Sequence, residues 1–285
     1  MNERLYQWFG GRSAVCATQH GKEQAMGPLL AQHAGIQLFT LPEFDTDRFG
    51  TFTREIPRAG SMIEAARAKA ISAAEIACVD LAIASEGSFG PHPSLGLIAG
   101  NLEIVLLLDR RHGLEIVGQH LTTNVRWVHG VVHSTEQALE LAQRGGFPSH
   151  AMVVRRSEND PVGMIKGLND EESFVQAVQH LLATNEGRPI FIESDLRAHC
   201  NPTRMQNIRC ATLDLLEEMA RFCPVCGAPG FQRMEAIPGL LCRWCRLPTS
   251  LPSAYRFECN RCGHQLTQTV EESFADPGQC SFCNP

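Results

Sequence analysis

Eight cysteines near the end of the chain form four Cys-x-x-Cys pairs. The pairs are Cys223/Cys226, Cys242/Cys245, Cys259/Cys262 and Cys280/Cys283, separated by spacers of 15, 13 and 17 residues. One Cys-x-x-Cys turn directs two thiolates at an ion, and two such turns complete a tetrahedral shell of four sulfurs. The tail therefore predicts two closed metal sites. Such sites are structural, because no coordination position remains for a substrate.

Zinc is the expected metal in both sites. Iron in a rubredoxin-like site at Cys223-Pro-Val-Cys-Gly227 is the alternative, since thiolate cages suit both metals. We expect sequential pairing, the first pair with the second and the third with the fourth, and a crossed or nested arrangement is the alternative. The segment has few large aliphatic residues, so the metal is expected to supply the stability that a core this small lacks.

The chain of 285 residues is long enough for one α/β domain and a small appendage. We place the α/β domain at 1–220 and the zinc-binding module at 221–285. The clustering of the cysteines favours metal ligation in a reducing compartment over a disulfide framework. With no apolar run of 18 residues and no signal-peptide core, we expect a cytoplasmic protein without membrane association.

Alternating apolar segments predict the fold class. Strands are expected at 12–18, 36–41, 79–84, 102–109, 114–121 and 190–195, with two shorter ones within 131–134 and 151–156. Helices are expected at 23–35, 61–78, 134–144, 170–183 and 201–220. This order predicts an α/β domain with a mixed, mostly buried sheet and flanking helices, followed by a small double zinc-ribbon module.

The first polar motif, Ser85-Glu-Gly-Ser-Phe-Gly-Pro-His-Pro93, follows a predicted strand end at residue 84. In an open α/β sheet, ligands bind outside the carboxyl ends of the strands. Glu86 would hold Mg²⁺ or act as a general base, the two glycines would let a ligand approach the backbone, and Phe89 would stack on a base. The alternative is a turn with a solvated glutamate.

Two further motifs precede helices. In Thr18-Gln-His-Gly-Lys22, backbone amides at a helix start and the ammonium of Lys22 would cradle a phosphate. In the run from Glu193 to Arg204, phosphate would be bound by Arg197, His199 and Arg204. The alternatives are a plain surface lysine in the first case and, in the second, an ion-pair network that ties the last helix to the sheet.

Acidic residues elsewhere complete the candidate catalytic set. Asp80, or Asp47 and Glu55 in a loop that also contains Asp45, would join Glu86 in holding Mg²⁺ or orienting water. Lys69 in the alanine-rich helix is a further candidate for phosphate binding. Solvated positions are the alternative for the loop acids and for Lys69.

The sequence resembles two families. The run of Phe-Asp-Thr-Asp, Gly-Thr-Phe-Thr, the motif at 85–93, Asp195-Leu-Arg-Ala-His-Cys-Asn-Pro-Thr-Arg and the terminal cysteine pairs looks like a bacterial family of unknown function. More remotely, the order of elements up to about residue 216 is similar to the inosine triphosphate pyrophosphatase-like superfamily, which includes the Maf proteins. Thr18 to Lys22, the pattern ending in Lys69-Ala, Glu86-Gly87 and Thr203-Arg204 carry that second resemblance.

The second resemblance implies Mg²⁺-dependent cleavage of a nucleoside triphosphate to a monophosphate and pyrophosphate. The function expected is therefore a hydrolase or binder of a nucleoside phosphate, with two structural zinc ions and Mg²⁺ as metals. The alternative is a non-catalytic adaptor whose ribbons bind protein or nucleic acid. A formal charge of −6 and a ribbon segment without lysine disfavour nucleic acid. A homo-oligomer is compatible with the sequence.

Overall fold

The computed structural model describes residues 2–42, 44, 60–92, 96–160 and 163–285. Six helices lie in these ranges: α1 (Glu3–Phe9), α2 (Glu23–Ala34), α3 (Met62–Ala77), α4 (Thr135–Arg144), α5 (Glu171–Thr184) and α6 (Pro202–Met219). Their starts follow local rules. Ser61 and Glu64 form a capping box on α3, and Asn201 caps α6 with Pro202 at its first position.

The first sheet has five strands. They are β1 (Ser13–Ala17), β2 (Gln37–Thr40), β3 (Leu81–Pro91), β4 (Ala99–Asp109) and β5 (Leu114–Thr122). The order is β2-β1-β3-β4-β5, in which β1 runs parallel to β2 and β3, whereas β4 is antiparallel to both β3 and β5. The predicted mixed α/β class is confirmed.

Helices cover both faces of this sheet. Alanines of α3 pack on one face, against Ala82, Ala84 and Ile104. Helices α2 and α6 pack on the other, against Ile83 and Val105. Helix α6 lies very close to β5, because a Cβ at Gly118 would be 2.2 Å from the backbone nitrogen of Leu215.

A second sheet follows in the chain. Its strands are β6 (His129–Val132), β7 (Met152–Arg155), β8 (Ile165–Leu168) and β9 (Ile190–Ser194), in the order β6-β9-β7-β8 with antiparallel pairing. Helices α4 and α5 pack on one face around Phe174. The sequence predicted β9 but missed β8, and it did not show that the strands divide into two sheets.

The cysteine-rich tail is built on a three-stranded antiparallel meander. Its strands are β10 (Phe231–Pro238), β11 (Pro252–Cys259) and β12 (Gln265–Thr269). Consecutive strands of a meander run in opposite directions, so the connections between them alternate between its two ends.

One predicted strand end is wrong. Strand β3 does not stop at residue 84 but continues to Pro91, because β4 pairs with it along its whole length, from Leu81–Asp109 to Pro91–Ala99. The motif that begins at Ser85 is therefore mostly strand. Its polar side chains are accommodated because Ser85 and Glu86 are buried with partners on the two faces of the sheet.

Candidate functional site

The carboxyl end of β1 opens a gap beside β3. The last paired residue of β1 is Ala17, which lies opposite Ala84, so β3 continues past its parallel neighbour from Ser85 onward. The loop 18–22 fills this gap. From it, the buried Lys22 Nζ donates to the backbone oxygen and to Oγ of Ser85, both at 3.0 Å. The predicted loop and the predicted strand motif therefore meet.

Neighbouring residues of β3 point to opposite faces of the sheet. Glu86 lies on the α3 face, where it forms a buried ion pair with Lys69 of α3. Gly87 lies on the α6 face, where a Cβ would be 2.3 Å from Oε1 of Glu103. The space that was predicted to admit a ligand at Gly87 is therefore filled by the carboxylate of Glu103.

Glu103 is the partner of Arg204. Nε of Arg204 is 2.8 Å from Oε1 of Glu103, and both side chains are fully buried. Arg204 also donates to the backbone oxygen of Leu196, and Asn101 donates to Oε1 of Glu103 at 3.0 Å. These bonds tie the start of α6 to β4, which is the ion-pair arrangement that the sequence left as an alternative for this motif.

A third ion pair lies at the end of β9. Nη2 of Arg197 is 2.6 Å from Oδ2 of Asp195. Burial alone would raise the pKa of Asp195, but the hydrogen bonds and charge of Arg197 lower it below its ordinary value. The rings of His199 and His20 lie 5.2 Å apart beside this pair. Burial, reinforced by the charge of Lys22, lowers the pKa of His20 to about 3, so its ring is neutral at pH 7.

Lys22 interacts electrostatically with Arg204, Lys69, Glu86 and Glu103. Burial is the main cause that lowers its pKa, to about 8, and the charge of Arg204 lowers it further. The carboxylates of Glu86 and Glu103 act in the opposite direction without cancelling the effect. We call Lys22, Lys69, Arg197 and Arg204 with their partners the basic cluster, and it combines groups from the first sheet, the loop after β9, the start of α2 and helices α3 and α6.

A cavity of about 420 Å³ opens next to the basic cluster, between the first turns of α2 and α6. Gly21 and Gln24 lie on one side, and His199 and Arg209 on the other. It gives a small molecule access to the loop that carries Lys22.

Several predicted site residues do not join the basic cluster. Asp80 directly precedes β3, whereas Glu86 lies in the middle of that strand, about 20 Å away at 3.3 Å per residue. Phe89 packs edge-on against Trp127, with ring centroids 6.3 Å apart. Asp45, Asp47 and Glu55 lie outside the described residues.

The eight cysteines of the tail form two groups of four. The first cysteine group is Cys223, Cys226, Cys259 and Cys262, and the second is Cys242, Cys245, Cys280 and Cys283. Within each group the sulfurs lie within 4.8 Å of one another. Both groups can therefore hold a metal ion.

The sequential pairing expected from the sequence is wrong, and the crossed alternative is correct. The pair before β10 and the pair at the end of β11 share one end of the meander, where Phe231 is opposite Cys259. The pairs that follow β10 and β12 share the other end, where Ala254 is opposite Thr269. Alternation of strand direction thus brings the first pair to the third and the second to the fourth.

A family model described as "Domain of unknown function (DUF6671)" matches residues 69–285, which is more than half of the chain. The chain belongs to this family. The expectation of a family of unknown function is confirmed, while the likeness to the pyrophosphatase-like superfamily stays a prediction. A comparison with curated proteins gave no match.

The DUF6671 segment begins at Lys69 and contains most of the basic cluster and all eight paired cysteines. The loop that carries Lys22 precedes it. Within the described ranges, no helix combines the length and apolar character that crossing a membrane requires.

Sequence reasoning missed two buried polar residues of the DUF6671 segment, Asn101 and Glu103. Both are fully buried, and Asn101 links Glu103 to Asn207 of α6. The signal was present, because Glu103 interrupts the otherwise apolar strand sequence Leu-Glu-Ile-Val-Leu-Leu-Leu. A buried carboxylate needs a cation, and α6 supplies it.

Proposed function

We propose that the α/β domain binds a phosphorylated small molecule, with a nucleoside phosphate as the expected class, and that the two cysteine groups hold structural Zn²⁺. The observation that carries the ligand proposal is the buried ammonium of Lys22. Its side-chain hydrogen bonds go to two uncharged oxygens of Ser85.

The charges around Lys22 favour an anionic ligand. Among the residues that the structure describes, each of the other three cations of the basic cluster has a carboxylate partner: Lys69 has Glu86, Arg204 has Glu103 and Arg197 has Asp195. Lys22 adds a fourth cation to this balanced set. A buried charge that is not matched by an opposite charge costs several kcal/mol, and a bound phosphate would offset that cost.

The described carboxylates do not fit a Mg²⁺ site. In the basic cluster, Glu86, Asp195 and Glu103 are each paired with a basic side chain, and Glu103 is fully buried with Arg204. In the ranges that the structure describes, groups of three or more candidate ligands consist of cysteines alone. We therefore derive no step through Mg²⁺, and the proposal for these residues is binding.

The sulfur geometry supports Zn²⁺. A tetrahedron with Zn–S bonds of about 2.3 Å has sulfurs about 3.8 Å apart. The separations across the pairs are 3.7 and 3.6 Å in the first cysteine group and 3.8 and 3.6 Å in the second. When bound, Zn²⁺ would supply cross-links without an open coordination position. Elemental analysis should find two zinc ions per chain, and finding iron would support the rubredoxin-like alternative.

The binding proposal is tested with Lys22→Met. This change removes an unmatched buried charge, so the variant should fold at least as well as the natural chain. In a thermal-shift screen with phosphate, pyrophosphate and nucleoside mono- and triphosphates, with and without Mg²⁺, the natural chain should be stabilised by at least one nucleotide. Lys22→Met should bind that nucleotide at least tenfold more weakly, because a charge-assisted hydrogen bond contributes about 1.5–3 kcal/mol.

The matched control is Lys166→Met, which removes a lysine of β8 in the second sheet. It should leave binding unchanged. Equal affinity of both variants, or no stabilisation by any phosphorylated compound, would reject the proposal. Calorimetry at pH 8.5 gives an independent check. An anion bound next to Lys22 should raise the pKa of Lys22 from about 8, so the lysine should take up a proton when the anion binds.

Hydrolysis is a separate hypothesis that rests only on the resemblance to the pyrophosphatase-like superfamily, in which Glu86 is the candidate base. If the domain cleaves its ligand, Glu86→Gln should abolish turnover while nucleotide binding persists. If no turnover occurs in the natural chain under conditions where a nucleotide binds, the domain is a nucleotide-binding module without this activity.

A further inference from the structure

The second cysteine group carries two highly exposed aromatic side chains. Trp244 lies between Cys242 and Cys245 and Phe282 between Cys280 and Cys283, and these side chains are 74% and 76% exposed. Large aromatic residues at this level of exposure are uncommon on a surface that contacts only water. Both belong to turns of one metal site, and the adjacent Leu241 and Leu247 are also exposed.

In the first cysteine group, the residue that corresponds to Phe282 contacts another part of the protein. Arg261 occupies the place equivalent to Phe282, directly before the last cysteine of its group. Its guanidinium lies 5.2 Å from the ring centroid of Trp8, and the neighbouring Asn260 donates to the backbone oxygen of Glu115 at 3.2 Å. This turn thus docks the first cysteine group on the α/β domain. The same position in the second group points to a second docking surface.

A cleft of about 400 Å³ adjoins the second cysteine group. Its lining includes four apolar or aromatic side chains, two carboxylates and one guanidinium group: Leu240, Leu251, Tyr255, Phe274, Glu272, Asp276 and Arg243. Both rings already attract guanidinium groups. Arg233 lies 3.8 Å from the centroid of Tyr255, and Arg246 lies 4.1 Å from that of Phe274. Aromatic ring faces next to carboxylates can also bind a cation from another molecule.

The charge of this region selects the partner. Around the second cysteine group and its cleft, the three carboxylates of Glu271, Glu272 and Asp276 equal in number the three guanidinium groups of Arg233, Arg243 and Arg246. Four thiolates around one Zn²⁺ add two further negative charges when the metal is bound. Phosphate backbones are repelled by such a surface, whereas a basic polypeptide is attracted.

We propose that the second cysteine group and its cleft form a docking site for an extended protein segment with alternating basic and apolar side chains. A lysine or arginine of the segment enters the cleft between the rings and carboxylates. Its apolar side chains cover Trp244 and Phe282, which act as the central anchors of the interface.

A positional-scanning peptide library tests this proposal on the full-length, zinc-loaded protein. In each pool one position is fixed, and retention by the immobilised protein is measured. Pools with fixed lysine or arginine, and pools with fixed large apolar residues, should be retained most. A labelled peptide made from the selected residues should bind at least tenfold more weakly to Trp244→Ser and to Glu272→Gln than to the natural chain.

Val225→Ser is the matched control, because Val225 is 68% exposed at the place in the first cysteine group equivalent to Trp244. It should bind the selected peptide as the natural chain does, and all three variants should retain two zinc ions. Retention without preference, preference for acidic pools, or equal loss in Val225→Ser and Trp244→Ser would overturn the proposal. Displacement of the peptide by oligothymidylate, with direct binding of that oligonucleotide through Trp244, would assign the surface to nucleic acid instead.

Discussion

The two cysteine groups have nearly the same geometry but different surroundings. Cys223 and Cys259 of the first group belong to the main hydrophobic core, together with Phe231 and residues of α2 and α6. The second group lies at the far end of the meander, and its turns carry the exposed Trp244 and Phe282. Metal sites with the same ligands can therefore have different roles within one small module.

These surroundings indicate which metal site the stability of the whole fold depends on. The first cysteine group is a part of the core of the α/β domain, although it follows that domain in sequence. The second connects only the outer ends of β10, β11 and β12. We expect loss of the first metal to destabilise the whole chain and loss of the second to loosen only the outer end of the tail.

Cys259→Ser and Cys280→Ser should show the largest difference in stability between the two cysteine groups. The two cysteines are matched, since each is 2% exposed and begins the later pair of its group. A structural zinc site contributes about 10–16 kcal/mol of apparent binding free energy, which is comparable to the whole stability of a domain. Cys259→Ser should therefore lower the melting temperature of the main domain by about 10 °C or more, or prevent folding.

Cys280→Ser should lose one zinc ion and leave the melting temperature of the main domain within about 2 °C of the natural value. The fluorescence of single-tryptophan variants reports the unfolding of each end separately, because Trp8 lies at the first cysteine group and Trp244 at the second. Equal effects of the two serine variants on Trp8 fluorescence melts would show that the groups do not differ as described.

Arg204→Met should destabilise the core to which the first cysteine group belongs. It leaves the fully buried carboxylate of Glu103 without its guanidinium, which typically costs about 3–5 kcal/mol. Since α6 belongs to the same core as the first cysteine group, this change should lower the unfolding temperature reported by Trp8. The double variant Arg204→Met/Glu103→Leu should recover part of the loss, which a merely misfolded protein would not do.

Raising the pH should stabilise the same core, by less than Arg204→Met destabilises it. The pKa of Lys22 is about 8 in the folded state, below the ordinary lysine value of 10.5. Between these values the unfolded chain binds more protons, so the free energy of unfolding rises with pH. The gain across this window is on the order of 3 kcal/mol at 1.36 kcal/mol per unit. Denaturation by urea at pH 8 and pH 10 should show this rise, and Lys22→Met should abolish it.

The sequence predicted those elements whose signals are local. The capping box at Ser61 and Glu64, the Asn201-Pro202 start of α6 and the four cysteine pairs depend on neighbours in the chain, and each is found in the structure. Lys22 and Ser85, taken from two motifs that the sequence singled out, also meet, although Ser85 lies within β3 and not after it.

What the sequence did not predict depends on distant pairing. The length of β3 is set by β4, and the crossed cysteine pairing is set by the direction of β11, so neither follows from local spacing. The role of Arg204 changed for the same reason. Its ion pair with Glu103 joins residues 101 positions apart, and only the packed structure shows that the guanidinium is occupied inside the core.

Arg261→Ala should give the smallest effect, and it addresses the contact that makes the first cysteine group different from the second. The change removes a guanidinium that lies 5.2 Å from the ring centroid of Trp8 and is partly exposed to water, where such a contact contributes about 0.5–1 kcal/mol. The melting temperature of the main domain should fall by about 1–4 °C, since the core packing around Cys259 is left intact. Arg243→Ala in the second group is the control and should change it by less, because Arg243 is exposed at the outer end of the tail. If the two alanine variants melt alike, the docking of the first cysteine group depends on its buried apolar residues alone, and Arg261 contributes nothing to the difference between the two groups.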